Sequence, residues 1–371
     1  MRGLVMILMT VDHASEVFNG GRWVRDASPG FVAGTPIPPA QFLTRWATHL
    51  CAPTFVLLAG TALALSTSAR AARGESTGAI DRHLAMRGLI LIALEPLWMT
   101  SAFSGWRDGF IHGITFQVLY AIGASFLLMV PLRRLGDVAL LATGALLVVL
   151  DEPMLAAASA LGVRKALPVC LLLGPGSFPE HRLHVSYPVL PWLGIMCLGW
   201  VFGRRLLAWS ARNAGEVELL AARTLAFSAV ALGSVFLVVR GVNGFGNMQL
   251  LRDDGSLLSW LHTSKYPPSL AYDACELSLA AAILAGLFHA VARWPAFLSP
   301  VRELGQAALF YYLLHLHLMA FAAMLMGWRS KLELPGTWLA ALVTVVVLGP
   351  IAGWYARYKA AHGRDSVLQY L

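Results

Sequence analysis

The chain predicts an all-α fold, a polytopic membrane helical bundle of about ten transmembrane helices forming a single domain over residues 1–371. Three observations carry that expectation. Of its residues, 57% are hydrophobic and only 13% charged, and the mean hydropathy is +0.65, which excludes a water-soluble enzyme. Runs of about 20 mostly apolar residues recur, each long enough to cross about 30 Å of hydrocarbon as a helix. A porin-like barrel, whose strands are short and alternating, is excluded.

The first span is read from Gly3 to Phe18; it runs into Asp12 and His13 without a small-residue cleavage site, so it is not a signal peptide. The second, Phe42 to Ser66, carries Arg45 and His49, and the third, Gly88 to Gly105, carries Glu95. Ile114 to Leu132, Val138 to Ala160, Pro188 to Phe202 and Leu225 to Val239 follow. Ser269 to Ala292 carries Asp273 and Glu276, Leu304 to Trp328 carries His315 and His317, and Thr337 to Tyr355 is the last. Neither a soluble domain nor a repeat of clear period interrupts the series.

An even number of spans puts both termini on one side. Placing the N-terminus inside assigns Arg2, Arg70, Arg73, Arg82, Arg87, Arg133, Arg134, Arg204, Arg205, Arg212, Arg223, Arg293, Arg302, Arg357, Lys359 and Arg364 to inner segments, the larger share of the 28 Lys and Arg. The bias is strongest in short connections near helix ends, so both termini are expected inside. The formal charge of +8 is therefore topological, and no nucleic-acid partner is expected. Cys51, Cys170, Cys197 and Cys275 are widely spaced and mostly lie within apolar runs, as free core thiols do. The outer connections Asn19–Gln41, Leu161–Tyr187 and Arg240–Pro268 hold the Gly, Pro, aromatic and His content of a shaped vestibule.

An ionisable group inside a span costs about 2.5 kcal/mol or more, so each needs a partner, a wet cavity or a function. Arg45 and His49, four apart, share a helical face. The directions of the spans bring Asp12, His13, Arg45, His49, His112 of a short outer loop, and Lys265 with Tyr266 to one outer layer. Such a layer suits a neutral imidazole acting as general base, a carboxylate orienting it, and Arg or Lys stabilising negative charge. Purely structural pairing, Asp12 with Arg45 for instance, is the competing reading. His315, one turn after Tyr311, is expected to line the cavity, and His317 to bond between helices; two residues apart, they face different ways and form no metal pair. No metal site is expected, since no zincin spacing, phosphate loop or nucleophile elbow occurs.

Several strings, in order along nearly the whole chain, carry a family likeness: Arg2-Gly3 and the run to Asp12-His13, Thr44-Arg45-Trp46 through His49, Pro53, Phe55 and Gly60, then Gln117-Val118-Leu119 with Ile122-Gly123. Tyr187-Pro188 through Pro191-Trp192 and Gly194, Lys265-Tyr266-Pro267-Pro268, and Phe310-Tyr311-Tyr312 through His315 complete them. The sequence resembles the bacterial relatives of the heparan-alpha-glucosaminide N-acetyltransferase catalytic region, within the transmembrane acyltransferase superfamily. The resemblance implies a multi-pass inner-membrane enzyme that moves an acetyl group from cytoplasmic acetyl-CoA to a saccharide acceptor, an amino sugar or a hydroxyl, on the extracytoplasmic side. The lysosomal enzyme has a His in its first luminal loop, whereas Asn19–Gln41 contains none; where that enzyme has Asn and Asp in its first two spans, this chain offers His13 and His49. The acidic residue that usually precedes Arg-Gly is missing, which implies a true start upstream of Met1 or a shortened first span.

The expected mechanism uses His13 as base with Asp12 orienting or charging it, and Arg45 and His49 near the thioester oxygen; the inverse, with His49 as base, stays open. His112, Lys265, Tyr266, Tyr311 and His315 are the expected acceptor-side residues. The pairs Arg133 with Arg134 and Arg204 with Arg205 are candidate clamps for the phosphates of acetyl-CoA, against plain topological charge as the alternative. Besides the acceptor and the lipid bilayer, a homodimer is a possible partner, because lipid-facing and protein-facing apolar surfaces look alike. A proton-coupled sugar or organic-acid transporter is the runner-up, lowered by the lack of paired broken helices in matching halves. A structural subunit leaves the buried charges without a purpose.

Overall fold

The computed structural model describes residues 1–104 and 113–362. His112 lies outside the described residues. The chain is 75% helical, as an apolar chain in lipid must be, since only a helix or a closed barrel satisfies every backbone donor and acceptor internally.

The helices are α1 (Arg2–Phe18), α2 (Pro39–His49), α3 (Cys51–Ala72), α4 (Thr77–Leu94), a π-helical turn Glu95–Met99, α5 (Thr100–Ser104), α6 (Val118–Leu132), α7 (Asp137–Val149), α8 (Asp151–Ala160) and α9 (Leu167–Leu172). They continue as α10 (Val189–Arg212), α11 (Val217–Val242), α12 (Leu257–Leu261), α13 (Leu270–Arg293), α14 (Ser299–Gln306), α15 (Ala308–Met326) and α16 (Leu334–Ala361). Three short strands, β1 (Ile114–Phe116), β2 (Gly176–Phe178) and β3 (Leu183–Val185), form a sheet of order β1-β3-β2. β1 runs parallel to β3 with Ile114 opposite Leu183, and β2 is antiparallel to β3.

Among the described residues, seven helical segments are long and apolar enough to cross a membrane: Pro39–Ala72, Thr77–Phe103, Val189–Arg212, Ala214–Val242, Leu270–Val291, Ala308–Met326 and Leu334–Ala361. α7 and α8, bent by 51° at Leu150, add an eighth if they form one span. The two other expected spans are shorter: α1 has 17 residues and α6 has 15. Two expected boundaries move. The span expected from Ile114 begins at Val118, because Ile114–Phe116 is taken up in the sheet. The span expected from Leu304 divides at Ala307, where the amphipathic α14 gives way to α15.

Despite its length, α1 is the hub. It packs against α2, α3, α14, α15 and α16, and Val5, Met6, Thr10 and Ala14 are fully buried. Around it, helices approach closely where they carry small residues, the usual solution when lipid offers no hydrophobic drive for association. A Cβ on Gly60 of α3 would lie 2.1 Å from the Met196 carbonyl oxygen of α10, and one on Gly199 2.0 Å from that of Leu57. Thr61 Oγ1 donates to the Gly199 carbonyl across this contact at 3.0 Å. α11 pairs with α13 at the periphery and leaves Phe227, Val230 and Val238 exposed.

Candidate active site

Two polar centres lie side by side above the middle of α1. The first is built on histidine. His315 of α15 donates Nδ1–H to the Tyr311 carbonyl, one turn earlier, at 3.0 Å. A carbonyl only accepts, so in the neutral ring Nε2 of His315 is bare. Nδ1 of His13 lies 2.6 Å from that Nε2 and is therefore its donor, which leaves the lone pair of His13 on Nε2. That atom has no hydrogen bond among the described residues. The imidazole planes are 19° apart, and Tyr312 and Phe103 flank His13 edge-on. Tyr311 itself turns away: its hydroxyl donates to Thr10 Oγ1 at 2.8 Å, since Thr10 is already donating to the Met6 carbonyl.

The second centre is ionic. Arg45 of α2 sits between two carboxylates, bonding Asp12 through Nη1 and Asp26 Oδ2 through Nε at 2.7 Å. Arg22 also reaches Asp12, at 3.4 Å, and Glu16, at 3.2 Å. His49, on the same face of α2 as Arg45, puts Nε2 3.5 Å from Asp26 Oδ2 and is sealed off, with both ring nitrogens buried. Tyr272 covers it and donates its hydroxyl to the His49 carbonyl at 3.0 Å. Burial opposes ionisation of Asp26, yet Arg45 and His49 outweigh it and hold the carboxyl far below the usual carboxylate range.

Asp26 belongs to the loop between α1 and α2, and other segments hold it there. Asn19 and Gln41 bond side chain to side chain at 2.7 Å across its base. The Lys265 N–H donates to the Asp26 carbonyl at 2.8 Å, and His262 Nε2–H to that of Arg25 at 2.6 Å. Lys265 is 2% exposed, and its ammonium lies over the Tyr266 ring, 5.4 Å from the centroid. Among the described residues no carboxylate comes within ion-pair distance of it. The buried Tyr187 and the half-buried Tyr266 form an edge-on pair, of which Tyr266 is the more acidic: desolvation raises both, but Lys265 and Arg45 face Tyr266 and draw it down.

A cleft of about 250 Å³ ends beneath the histidines. Arg2, Met6 and Met9, successive turns of one α1 face, line it together with Phe55, Leu91, Leu119, Phe126 and Tyr312, and His13 is the next turn of that face. Tyr312 joins the two regions, since its ring is 6.2 Å from that of His13 and 5.7 Å from that of His315. Among the described residues the cleft's ionisable lining is cationic apart from Tyr312: Arg2, Arg87 and Lys359, with no carboxylate. Arg87 Nε is buried without a hydrogen-bond partner, as a guanidinium awaiting an anion would be.

Several expectations change against this geometry. Asp12 does not bond the His13 ring, because Arg45 and Arg22 occupy its carboxylate. His13 and His49 fall in separate centres. Arg45 is held by two carboxylates and is not a free cation, whereas Lys265 has no carboxylate partner among the described residues. None of the four expected phosphate clamps lines the cleft: Arg133 and Arg134 share Asp81 at 2.6 Å each, Arg204 pairs with Asp137 at 2.9 Å, and Arg205 is exposed on α10. His317 packs on Trp98. Glu95 accepts the Tyr120 N–H at 3.0 Å near the start of α6, while Asp273 and Glu276 are buried in α13. The sequence assigns no site role to Asp26, to Tyr312 or to the cation set Arg2, Arg87 and Lys359; a lone acid in an aromatic, proline-rich loop is the available signal for Asp26.

No curated protein matches the chain. Residues 1–239, more than half of it, match the model of a family described as heparan-alpha-glucosaminide N-acetyltransferase, catalytic. With that share of its length matched, the chain belongs to the heparan-alpha-glucosaminide N-acetyltransferase catalytic family.

Proposed function

We propose that the protein transfers the acetyl group of acetyl-CoA, admitted from the cytoplasmic side, to a saccharide hydroxyl or amine on the opposite side of the membrane. The observation that carries this reading is the ordered chain from the Tyr311 carbonyl through His315 to His13, which leaves a bare imidazole nitrogen one turn above a cation-lined cleft. Arg2, Arg87 and Lys359 hold the donor's phosphates, and Met6, Met9, Leu119 and Tyr312 line the path of its pantetheine arm.

His13 Nε2 takes the proton of the acceptor as its oxygen or nitrogen attacks the acetyl carbon. The carbonyl oxygen gains negative charge in the tetrahedral intermediate, and Lys265, a buried cation without a carboxylate partner among the described residues, stabilises it. Collapse breaks the C–S bond, and His13 returns the proton to the departing CoA sulfur. His315 fixes the ring of His13 and shares its charge. Arg45, Asp12, Asp26 and His49 form the floor that holds α1, α2 and the Asp26 loop in place.

The test is release of CoA from labelled acetyl-CoA by purified protein, dependent on added saccharide. His13→Ala lowers turnover about 10²–10⁴-fold with donor binding retained; unchanged turnover removes His13 from the role. In sealed vesicles, label reaching the far-side saccharide supports transmembrane acetylation, and uptake of unmodified sugar without CoA release supports the transporter instead.

A further inference from the structure

Arg240 is fully buried in the last turn of α11, and among the described residues no carboxylate lies within ion-pair distance of it. Its charge is met by neutral acceptors alone. Nε donates to the Trp260 carbonyl at 3.1 Å, Nη1 to Asn247 Oδ1 at 2.6 Å and to the Leu250 carbonyl at 3.0 Å, and Nη2 to the carbonyls of Ser259 and of His262, the latter at 3.1 Å. That uses all five guanidinium donors. A charge at the end of an apolar helix without a counter-ion is costly, which makes such an arginine a functional candidate by default. Lysine has three donors radiating from one point and cannot reproduce the planar fork.

The carbonyls it gathers belong to the segment that grips the Asp26 loop. His262, whose carbonyl Arg240 holds, donates its ring N–H to the Arg25 carbonyl. Three residues on, the Lys265 N–H bonds the Asp26 carbonyl. Arg252 reinforces the same knot, donating Nε–H to the Arg240 carbonyl at 2.7 Å while stacking over Trp260 at 4.2 Å. Arg240 and all that it holds lie beyond residue 239, where the family match ends.

We propose that Arg240 is a positioning residue: by folding residues 247–262 around its guanidinium it fixes Lys265 and the backbone of Asp26 at the ionic centre, beside the histidines. Its kinetic consequence rests on the acetyltransferase reading; its structural consequence does not. In full-length Arg240→Lys, hydrogen exchange of amides in 247–269 and 23–28 rises about tenfold or more, the loss expected when charged hydrogen bonds are removed, while amides of α3 and α10 keep their protection. Unchanged exchange in both segments overturns the proposal. Should Arg240→Lys not fold, Asn247→Ala, which removes one acceptor, shows a smaller rise in the same segments, and no rise there overturns it equally.

In the kinetic arm, Arg240→Lys lowers kcat with the donor KM unchanged, and the double variant Arg240→Lys with Lys265→Met is within about twofold of Lys265→Met alone. A double variant slowed by the full product of the two single effects shows that Arg240 does not act through Lys265, which sinks the proposal. Absence of acetyl transfer in the wild type refutes the functional reading instead, and the exchange measurement still decides the role of Arg240.

Discussion

Asp26 Oδ2 accepts a 2.7 Å hydrogen bond from Arg45 Nε, tying the loop after α1 to the face of α2. Asp12 holds the same guanidinium from α1, so one arginine joins three segments of chain. Removing Arg45 leaves the buried Asp26 without its arginine and Asp12 with Arg22 alone, at 3.4 Å; removing Asp26 leaves the Asp12 pair intact. Arg45→Met is therefore expected to destabilise by about 3–5 kcal/mol and Asp26→Asn by about 1–3 kcal/mol, measured by unfolding in detergent. The reverse order would show that Arg45 is not the hub.

The same pair sets a pH dependence. Burial works against the Asp26 carboxylate, but Arg45 and His49 prevail, and its pKa in the fold is depressed below the unfolded value of about 3.9. The ionised form is the one the fold favours, so this stabilisation is complete above about pH 5 and fades as the pH falls below about 4. The difference in unfolding free energy between wild type and Asp26→Asn should stay constant between about pH 6 and 8 and shrink in acid. A difference that shrinks across the neutral range would mean that Asp26 titrates there.

His315 bonds His13 but has no surface of its own. Its loss frees the His13 ring to rotate and to choose either tautomer. His315→Phe should lower kcat about 10²-fold, the scale of a misplaced catalytic group, with affinity for acetyl-CoA retained in equilibrium binding. Full activity in that variant would separate His315 from the reaction.

Arginines near the cleft and away from it should behave differently. Arg87 lines the cleft with an unpaired Nε, so Arg87→Ala should raise the KM for acetyl-CoA about tenfold, the value of one charge-assisted hydrogen bond. Arg133 is committed to Asp81, and Arg133→Ala should leave that KM unchanged. The opposite result, with KM following Arg133, would move the phosphate site to the α6 terminus.

Helices were legible because hydropathy over 20 residues is a local property, and α2 shows how far local spacing goes: Arg45 and His49, four apart, do share the face that meets Asp26. What they meet was not legible, because Asp26 lies in a loop whose course is set by Asn19, Gln41, His262 and Lys265. The partnership of His13 with His315 spans 302 positions, and nothing periodic announces it. Arg133 and Arg134 read as free inner charge because the sequence around them does not show Asp81, roughly fifty positions earlier. The span count is less legible for a related reason: α1 and α6 are short, and their burial comes from neighbours rather than from length.

The single helix α1 bears Arg2 at the cationic end of the cleft and His13 at the histidine centre, separated by a rise of about 16 Å at 1.5 Å per residue. A rigid helix makes that interval a ruler. On the proposed reading, a thioester whose nucleotide is seated at Arg2 is gauged against the same length, so each acyl-CoA would bring its carbonyl to one height whatever acyl group it bears. Choice among acyl groups then rests on the walls beyond His13, Phe103 and Tyr312 among them, and enlarging or shrinking those walls is the route to a different acyl preference.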